Sequence, residues 1–357
     1  MASSAGSTDV VKAGYWSFGD VLNRHEVKEI PSELFTHLYA GFAKVEDDGH
    51  LIIPEPYSEP FRTFTQTVRL RNPGVKTLLS IGGEGVDLSA VVASSEKRNN
   101  LITDSTYLAK TFHFDGLDLC WLYPSSKADE EHLDSLLKQW RHATTLLLTA
   151  AVFHHPGIPV KDSTFNYPIE AINEYLDWIN VLAIDFYTYS NSTEETGPVH
   201  AWNTRPIDQQ DRCGSLGIKK WIDVGVSTSK LVLGLPFYGY EWNLTNPNSS
   251  SGFFAPAHPV IKNPEAEAYK DIQDKLLRDT YETVCDSQYL AAYSHKINGE
   301  RWIGYDDGLC ISGKVRKAID LKLEGYFAWR VGADDIFWTL SRSVCLIIQR
   351  KIITRYI

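Results

Sequence analysis

Eight short apolar or β-branched runs recur in order along the 357 residues, each followed by a helix-like or irregular stretch. That alternation restricts the chain to a parallel α/β architecture, because parallel neighbours need a crossover between them. The runs fall at 11–16, 37–42, 77–81, 116–121, 146–152, 181–186, 231–237 and 325–329. Eight such strands close a (β/α)8 TIM barrel, a unit of about 250 residues. Amphipathic helices are predicted at 61–71, 97–111, 128–144 and 312–323, the second after a Ser94-Ser95-Glu96 start that reads as a helix entry. The rhythm breaks once. Residues 239–307 are too many for one helical crossover, so a small α+β insertion is expected between the seventh and eighth strands. The predicted division is 1–238 for barrel strands one to seven, 239–307 for the insertion, 308–345 for the eighth strand and last helix, and 346–357 for an apolar, basic tail. No period of 20–50 residues recurs, which argues against a solenoid or propeller. No apolar run reaches 18 residues, so no membrane span is expected.

Composition narrows the partners. With 45 acidic against 35 basic residues the formal net charge is −10, opposite to what a phosphate backbone attracts, and nucleic acid is not an expected partner. Neutral substrates fit this charge balance better, and ten Trp and eighteen Tyr are many for a chain of this size. The five cysteines, Cys120, Cys213, Cys285, Cys310 and Cys345, form no C-x-x-C pair, so neither a metal nor a cofactor is expected, and their odd number leaves at least one thiol unpaired within the chain. The first residues lack the basic start and apolar stretch of a secretory signal, so the chain reads as cytoplasmic as written. Sequons stand at Asn191, Asn243 and Asn248. The sequence is silent on oligomeric state.

Residues 115–124 read Asp-Gly-Leu-Asp-Leu-Cys-Trp-Leu-Tyr-Pro. In an extended strand alternate side chains share a face, so Asp118, Cys120 and Leu122 point the same way. The segment resembles the signature of the family 18 glycoside hydrolases, the chitinases, in which an Asp-x-x-Asp-x-Asp-x-Glu run on the fourth barrel strand ends in the catalytic acid. Asp115 and Asp118 match its first two acids, while Cys120 stands at the third aspartate and Leu122 at the glutamate. Four further landmarks follow the family's order: Ser80-Ile-Gly-Gly83, Gly234-Leu-Pro-Phe-Tyr-Gly-Tyr240, Trp302-Ile-Gly-Tyr-Asp-Asp307 and Gly325-Tyr-Phe-Ala-Trp329. Together they look most like plant class V chitinases, whose relatives are mostly extracellular or vacuolar.

The resemblance implies a reaction in which the glutamate protonates the glycosidic oxygen while the substrate's own N-acetyl oxygen attacks, helped by the neighbouring aspartate and a tyrosine on the sixth strand. Here the tyrosine position is Ile184, although Asp185 remains. Leucine donates no proton, and a thiol is neutral at pH 7. No intact catalytic set is therefore expected, with Glu84, in place of a glycine common in relatives, and Asp118 as conceivable substitute acids. A thiolate at Cys120 acting as a new nucleophile is weighed against an inert buried cysteine, and the acidic neighbours favour the latter. Sugar binding is a separate matter. Trp329 matches the tryptophan that floors the central sugar subsite, and Asp185, Tyr187, Tyr238, Trp242, Trp302, Tyr305 and Trp16 are further candidates around the mouth. The leading expectation is a lectin-like protein binding N-acetylglucosamine-containing oligosaccharides or N-glycans. The alternatives are an enzyme of changed chemistry acting on a less polar specialised metabolite, residual chitinase activity, or a chain without function.

Overall fold

The computed structural model describes residues 10–205, 212–247, 251–261 and 266–344. Cys345, the tail at 346–357, the first nine residues and the Asn248 sequon lie outside the described residues.

Eight parallel strands close a barrel: β1 (Val11–Ser17), β2 (His37–Val45), β3 (Lys76–Glu84), β4 (Gly116–Leu122), β5 (Leu147–Phe153), β6 (Trp178–Leu182), β7 (Leu231–Pro236) and β8 (Gly325–Trp329). Each pairs with its sequence neighbour, and β8 pairs with β1 to complete the ring. Helices lie outside, including α1 (Ser58–Arg69), α2 (Ser95–Thr111), α3 (Asp129–Ala143), α4 (Ile169–Tyr175) and α5 (Gly214–Asp223). With helices on one side and side chains filling the other, the strands are buried on both faces, which is why they read as nearly unbroken apolar runs.

Strand β6 departs from expectation. It begins three residues earlier than the predicted run and stops before Ile184, because Asp185 takes φ +63°, a left-handed conformation that no extended strand tolerates. The chain therefore leaves the sheet where it reaches the mouth. On β3, Gly82 has φ +104°, and a Cβ there would lie 2.5 Å from the Cys120 carbonyl oxygen, so glycine is what lets β3 approach β4.

The short connection after α3 is held by side chains. Trp140 is buried and its Nε1 donates to Ser105 Oγ at 3.1 Å. Arg141 donates to the Tyr175 and Leu146 carbonyls and to the Asp177 carboxylate, tying three elements at the barrel base.

Between β7 and the last crossover stands a separate antiparallel sheet, ordered Ala257–Pro259, Tyr238–Leu244, Arg301–Tyr305, Ala291–Lys296 and Tyr281–Asp286, with Glu267–Ala268 paired to Tyr238–Leu244. Helix α6 (Tyr269–Arg278) precedes the Tyr281–Asp286 strand. The chain then enters α7 (Gly308–Asp320), four residues before the predicted start, because the Asp307 side chain accepts the Leu309 and Cys310 amides as N-cap. Among the described residues no helix is long and apolar enough to cross a membrane.

Candidate functional site

A cleft of about 760 Å³ opens at the C-terminal ends of the strands, where active sites of this barrel type sit. Glu84 from the end of β3, Leu122 from β4, Phe153 from β5, Leu182 from β6 and Trp329 from β8 line it, joined by Ile184 and Asp185 just past β6.

Beneath this cleft the barrel interior is polar and closed. The Asp118 carboxylate accepts hydrogen bonds from Ser80 Oγ and Thr149 Oγ1 at 2.6 Å, Tyr15 Oη at 2.9 Å and Asn180 Nδ2 at 3.5 Å. Asn180 also donates to Tyr15 Oη, and Trp178 Nε1 donates to Tyr39 Oη, so the layer is one network. Burial raises the Asp118 pKa against the pull of these donors. Asp115 lies at the other end of β4, bonded to Arg69 at 2.6 Å and to the Thr77 amide at 2.8 Å, well away from the mouth. Both motif acids thus serve the scaffold.

One pair of residues up the strand the character changes. Cys120 has no exposed surface, and burial, reinforced by the charges of Asp118 and Glu84, pushes its thiol pKa far up. The side chain remains a neutral thiol, which leaves no nucleophile there. Leu122 follows at the cleft surface, in register with Glu84 on β3. Glu84 is ion-paired with Arg330, whose guanidinium also pairs with Asp20 and lies 4.8 Å from the centroid of the Trp329 ring. Trp329 itself is packed edge-on to Tyr15 at 4.9 Å and keeps only a small exposed surface, which faces the cleft.

Asp185 is the second acid on the cleft wall. Tyr238 Oη donates to it at 2.7 Å and Tyr240 Oη at 3.3 Å, yet burial raises its pKa to about 6. Its amide donates to His200 Nδ1 at 3.1 Å, which leaves the His200 Nε2–H to donate to the Tyr238 carbonyl. Burial and then the nearby Lys314 charge lower the His200 pKa well below its ordinary value, so the ring is a neutral bracket rather than an ion-pair partner.

The remaining candidates are placed elsewhere. Trp242, Trp302 and Tyr305 form the core of the insertion. The two tryptophan rings meet at 5.5 Å, and Tyr305 Oη is bonded to Ser294 Oγ at 2.9 Å, so all three are corrected from cleft platforms to packing residues. Trp16 is also corrected. Its neighbour Tyr15 points inward to Asp118, and alternation turns Trp16 outward, where it lines a separate hollow with Phe18 and Tyr57 beside α1. Tyr187 is buried under Arg212, whose guanidinium lies 3.9 Å from the ring centroid, and does not line the cleft. Tyr238 acts on the cleft through Asp185. Sequence reasoning missed Tyr123, His154, His155 and Arg212 on the cleft wall, and Tyr240 behind it. For the first three the signal was available, since they directly follow β4 and β5.

The sequence matches the glycosyl hydrolases family 18 over residues 11–334. It is 39% identical over 345 residues to a class V chitinase of Arabidopsis thaliana, covering 91% of this chain and 86% of that one. Among solved structures, a mutant of the class V chitinase from Nicotiana tobaccum in complex with NAG4 superposes with a TM-score of 0.87 at 37% identity, over 95% of this chain and 99% of that one. The chitinase-like agglutinin RobpsCRA from Robinia pseudoacacia superposes with a TM-score of 0.83 at 38% identity, over 94% and 99%. By sequence along nearly its whole length and by its barrel, the chain belongs to glycosyl hydrolase family 18.

Proposed function

We propose that this protein is a chitinase-like carbohydrate-binding protein that has lost glycosidase chemistry and holds N-acetylglucosamine-containing oligosaccharides or N-glycans in its cleft. The observation that carries this reading is the composition of the mouth. Leu122 ends β4 at the cleft surface above a sealed Cys120, whereas Trp329 and Asp185 still face the same space. Proton donation to a leaving oxygen is typically worth about 10²–10⁴-fold, and neither residue at the end of β4 supplies it. Glu84 is ion-paired with Arg330, while burial and then the Asp185 charge raise its pKa, so its service as a relocated acid is put to the test below. Binding needs only an aromatic surface and a few placed polar groups, and those remain. The agglutinin among the relatives and the NAG4 complex of the tobacco chitinase mutant support the ligand class.

The test is calorimetric titration with chitotetraose beside a product-release assay between pH 4 and 8. Binding without product above a heat-treated control is expected, and Trp329→Ala should weaken binding by about 2 kcal/mol, roughly thirtyfold. Product release abolished by Glu84→Gln would instead reveal a relocated acid. The apolar wall of Leu122, Leu182, Ile184 and Phe153 favours a second reading, a pocket for a less polar small molecule processed by changed chemistry. Failure to bind chitotetraose at millimolar concentration, with apolar glycosides binding instead, would put that reading first.

A further inference from the structure

Two cysteines of the insertion and the last crossover meet away from the cleft. Cys285 lies on the strand Tyr281–Asp286, and Cys310 in the first turn of α7, with their sulfur atoms 2.9 Å apart. Cys310 comes twenty-five positions after Cys285, and the intervening chain supplies the strands Ala291–Lys296 and Arg301–Tyr305. Those strands carry Tyr293 and Trp302, which stack at 5.5 Å in the insertion core. Cys310 is fully buried, whereas Cys285 is half-buried and open to reagents. Cys120 and Cys213 are buried elsewhere.

The position of the pair matters for the insertion sheet. One side of the sheet is anchored directly, because Tyr238–Leu244 follows β7 almost without a break. Tyr281–Asp286 is the opposite edge strand, reached through Arg301–Tyr305 and Ala291–Lys296. That edge meets the barrel at α7, where Cys310 sits. We propose that Cys285 and Cys310 are a dithiol that closes into a disulfide, clasping the free edge of the insertion sheet onto the barrel.

The chemistry runs in two exchanges with a small disulfide such as oxidised glutathione. Cys310 Sγ–H donates to Cys285 Sγ and lowers the Cys285 pKa, while the same bond and burial raise that of Cys310. The Cys285 thiolate attacks one glutathione sulfur and expels a glutathione thiolate, which takes up a proton. Cys310 then loses its proton, attacks the Cys285 sulfur of the mixed disulfide and expels the second glutathione. Two protein thiols are oxidised by two electrons, and one oxidised glutathione is reduced to two thiols. Asp307 brings a carboxylate oxygen within 4.8 Å of both sulfurs, which makes a soft divalent cation the rival occupant. Its Oδ1 is already committed to the Leu309 and Cys310 amides as the cap of α7, which favours the disulfide.

The full chain is incubated with oxidised glutathione at pH 8, alkylated, digested and mapped by mass spectrometry. A Cys285–Cys310 peptide pair is expected, with titratable thiols under denaturant falling from five by two. Closing a loop of this length should raise Tm by about 5 °C, reversed by dithiothreitol. In Cys310→Ser, Cys285 should accumulate as a stable mixed disulfide with no gain in Tm, and Cys285→Ser should block both exchanges. The proposal is overturned if wild-type Cys285 retains glutathione unresolved, or if the cross-link reaches a different cysteine. It is equally overturned if stoichiometric zinc protects both thiols from alkylation while oxidised glutathione forms no bridge.

Discussion

The two halves of β4 are built for different ends. Its lower half places Asp115 in an ion pair at the barrel base and Asp118 under four donors from β1, β3, β5 and β6. Its upper half, only two to four residues later, carries a sealed thiol and a partly buried leucine at the cleft surface. Along one strand, then, the two acids are bound into the scaffold and the positions nearer the mouth are a thiol and a hydrocarbon. A buried carboxylate with several donors cannot be replaced without stranding those donors, whereas a residue at a solvent-filled mouth can change with little structural penalty. The difference teaches that the polar layer inside a barrel and the residues at its mouth answer to separate structural constraints.

The sharpest way to break that comparison is to restore the upper half alone. If the lower half is an intact scaffold, Cys120→Asp, Leu122→Glu and Ile184→Tyr together should produce chitotetraose cleavage at least about 10²-fold above wild type, the lower end of what general acid catalysis contributes. Each single change should do little, because acid, orienting carboxylate and hydroxyl act as a unit. The measurement is product release by chromatography. A folded triple variant that binds chitotetraose and stays inert would show that the cleft has diverged beyond these three positions.

Stability measurements sharpen the comparison from below. Asp118→Ala leaves Tyr15, Ser80, Thr149 and Asn180 facing an empty acceptor site, and should cost about 4 kcal/mol in denaturant unfolding. Cys120→Ala, on the same face and equally buried, removes only a weakly polar sulfur and should cost about 1 kcal/mol. Equal costs would contradict the division of β4 into a hydrogen-bonded lower half and an apolar upper half.

Much of this was legible before the structure. The β-branched, apolar runs of fully buried strands stand out, and 325–329 coincides with β8 to the residue. The sixth strand was displaced because Ile184 and Phe186 prolong an apolar run that the left-handed Asp185 interrupts, and a hydropathy pattern carries no trace of φ. At the site, segment resemblance located the right stretches without telling which face each aromatic takes. Trp302 and Tyr305 lie in a segment that looked like part of the mouth, but their rings turn into the insertion core. Arg212 was invisible for another reason. It comes from a connection without periodicity, and only the fold brings its guanidinium to Tyr187 and the Phe186 carbonyl.

The smallest expected effect concerns Asp185, one of the two acids that line the cleft. Asp185 has its pKa raised to about 6 by burial, so its charge changes within an accessible range. For ligand binding the sign follows from the donor: an amide or hydroxyl hydrogen of a bound sugar bonds more strongly to a carboxylate than to a neutral acid, by about 1 kcal/mol. Affinity for chitotetraose should therefore be highest above pH 7 and fall about fivefold as the pH drops through 6 to 5. Folding stability should respond in the opposite sense. The native state holds this proton more tightly than the unfolded chain does, so its contribution is fullest below the ordinary aspartate range and is lost as pH rises through about 6. That second effect is small, because the side chain is 37% exposed. Asp185→Asn should flatten the affinity profile while leaving Tyr238 and Tyr240 an acceptor oxygen to bond. Calorimetry at pH 5, 6 and 7.5 on both proteins checks it, and a wild-type profile that is flat, or that rises toward acid, would remove Asp185 from the binding surface and leave Trp329 as the only proposed anchor.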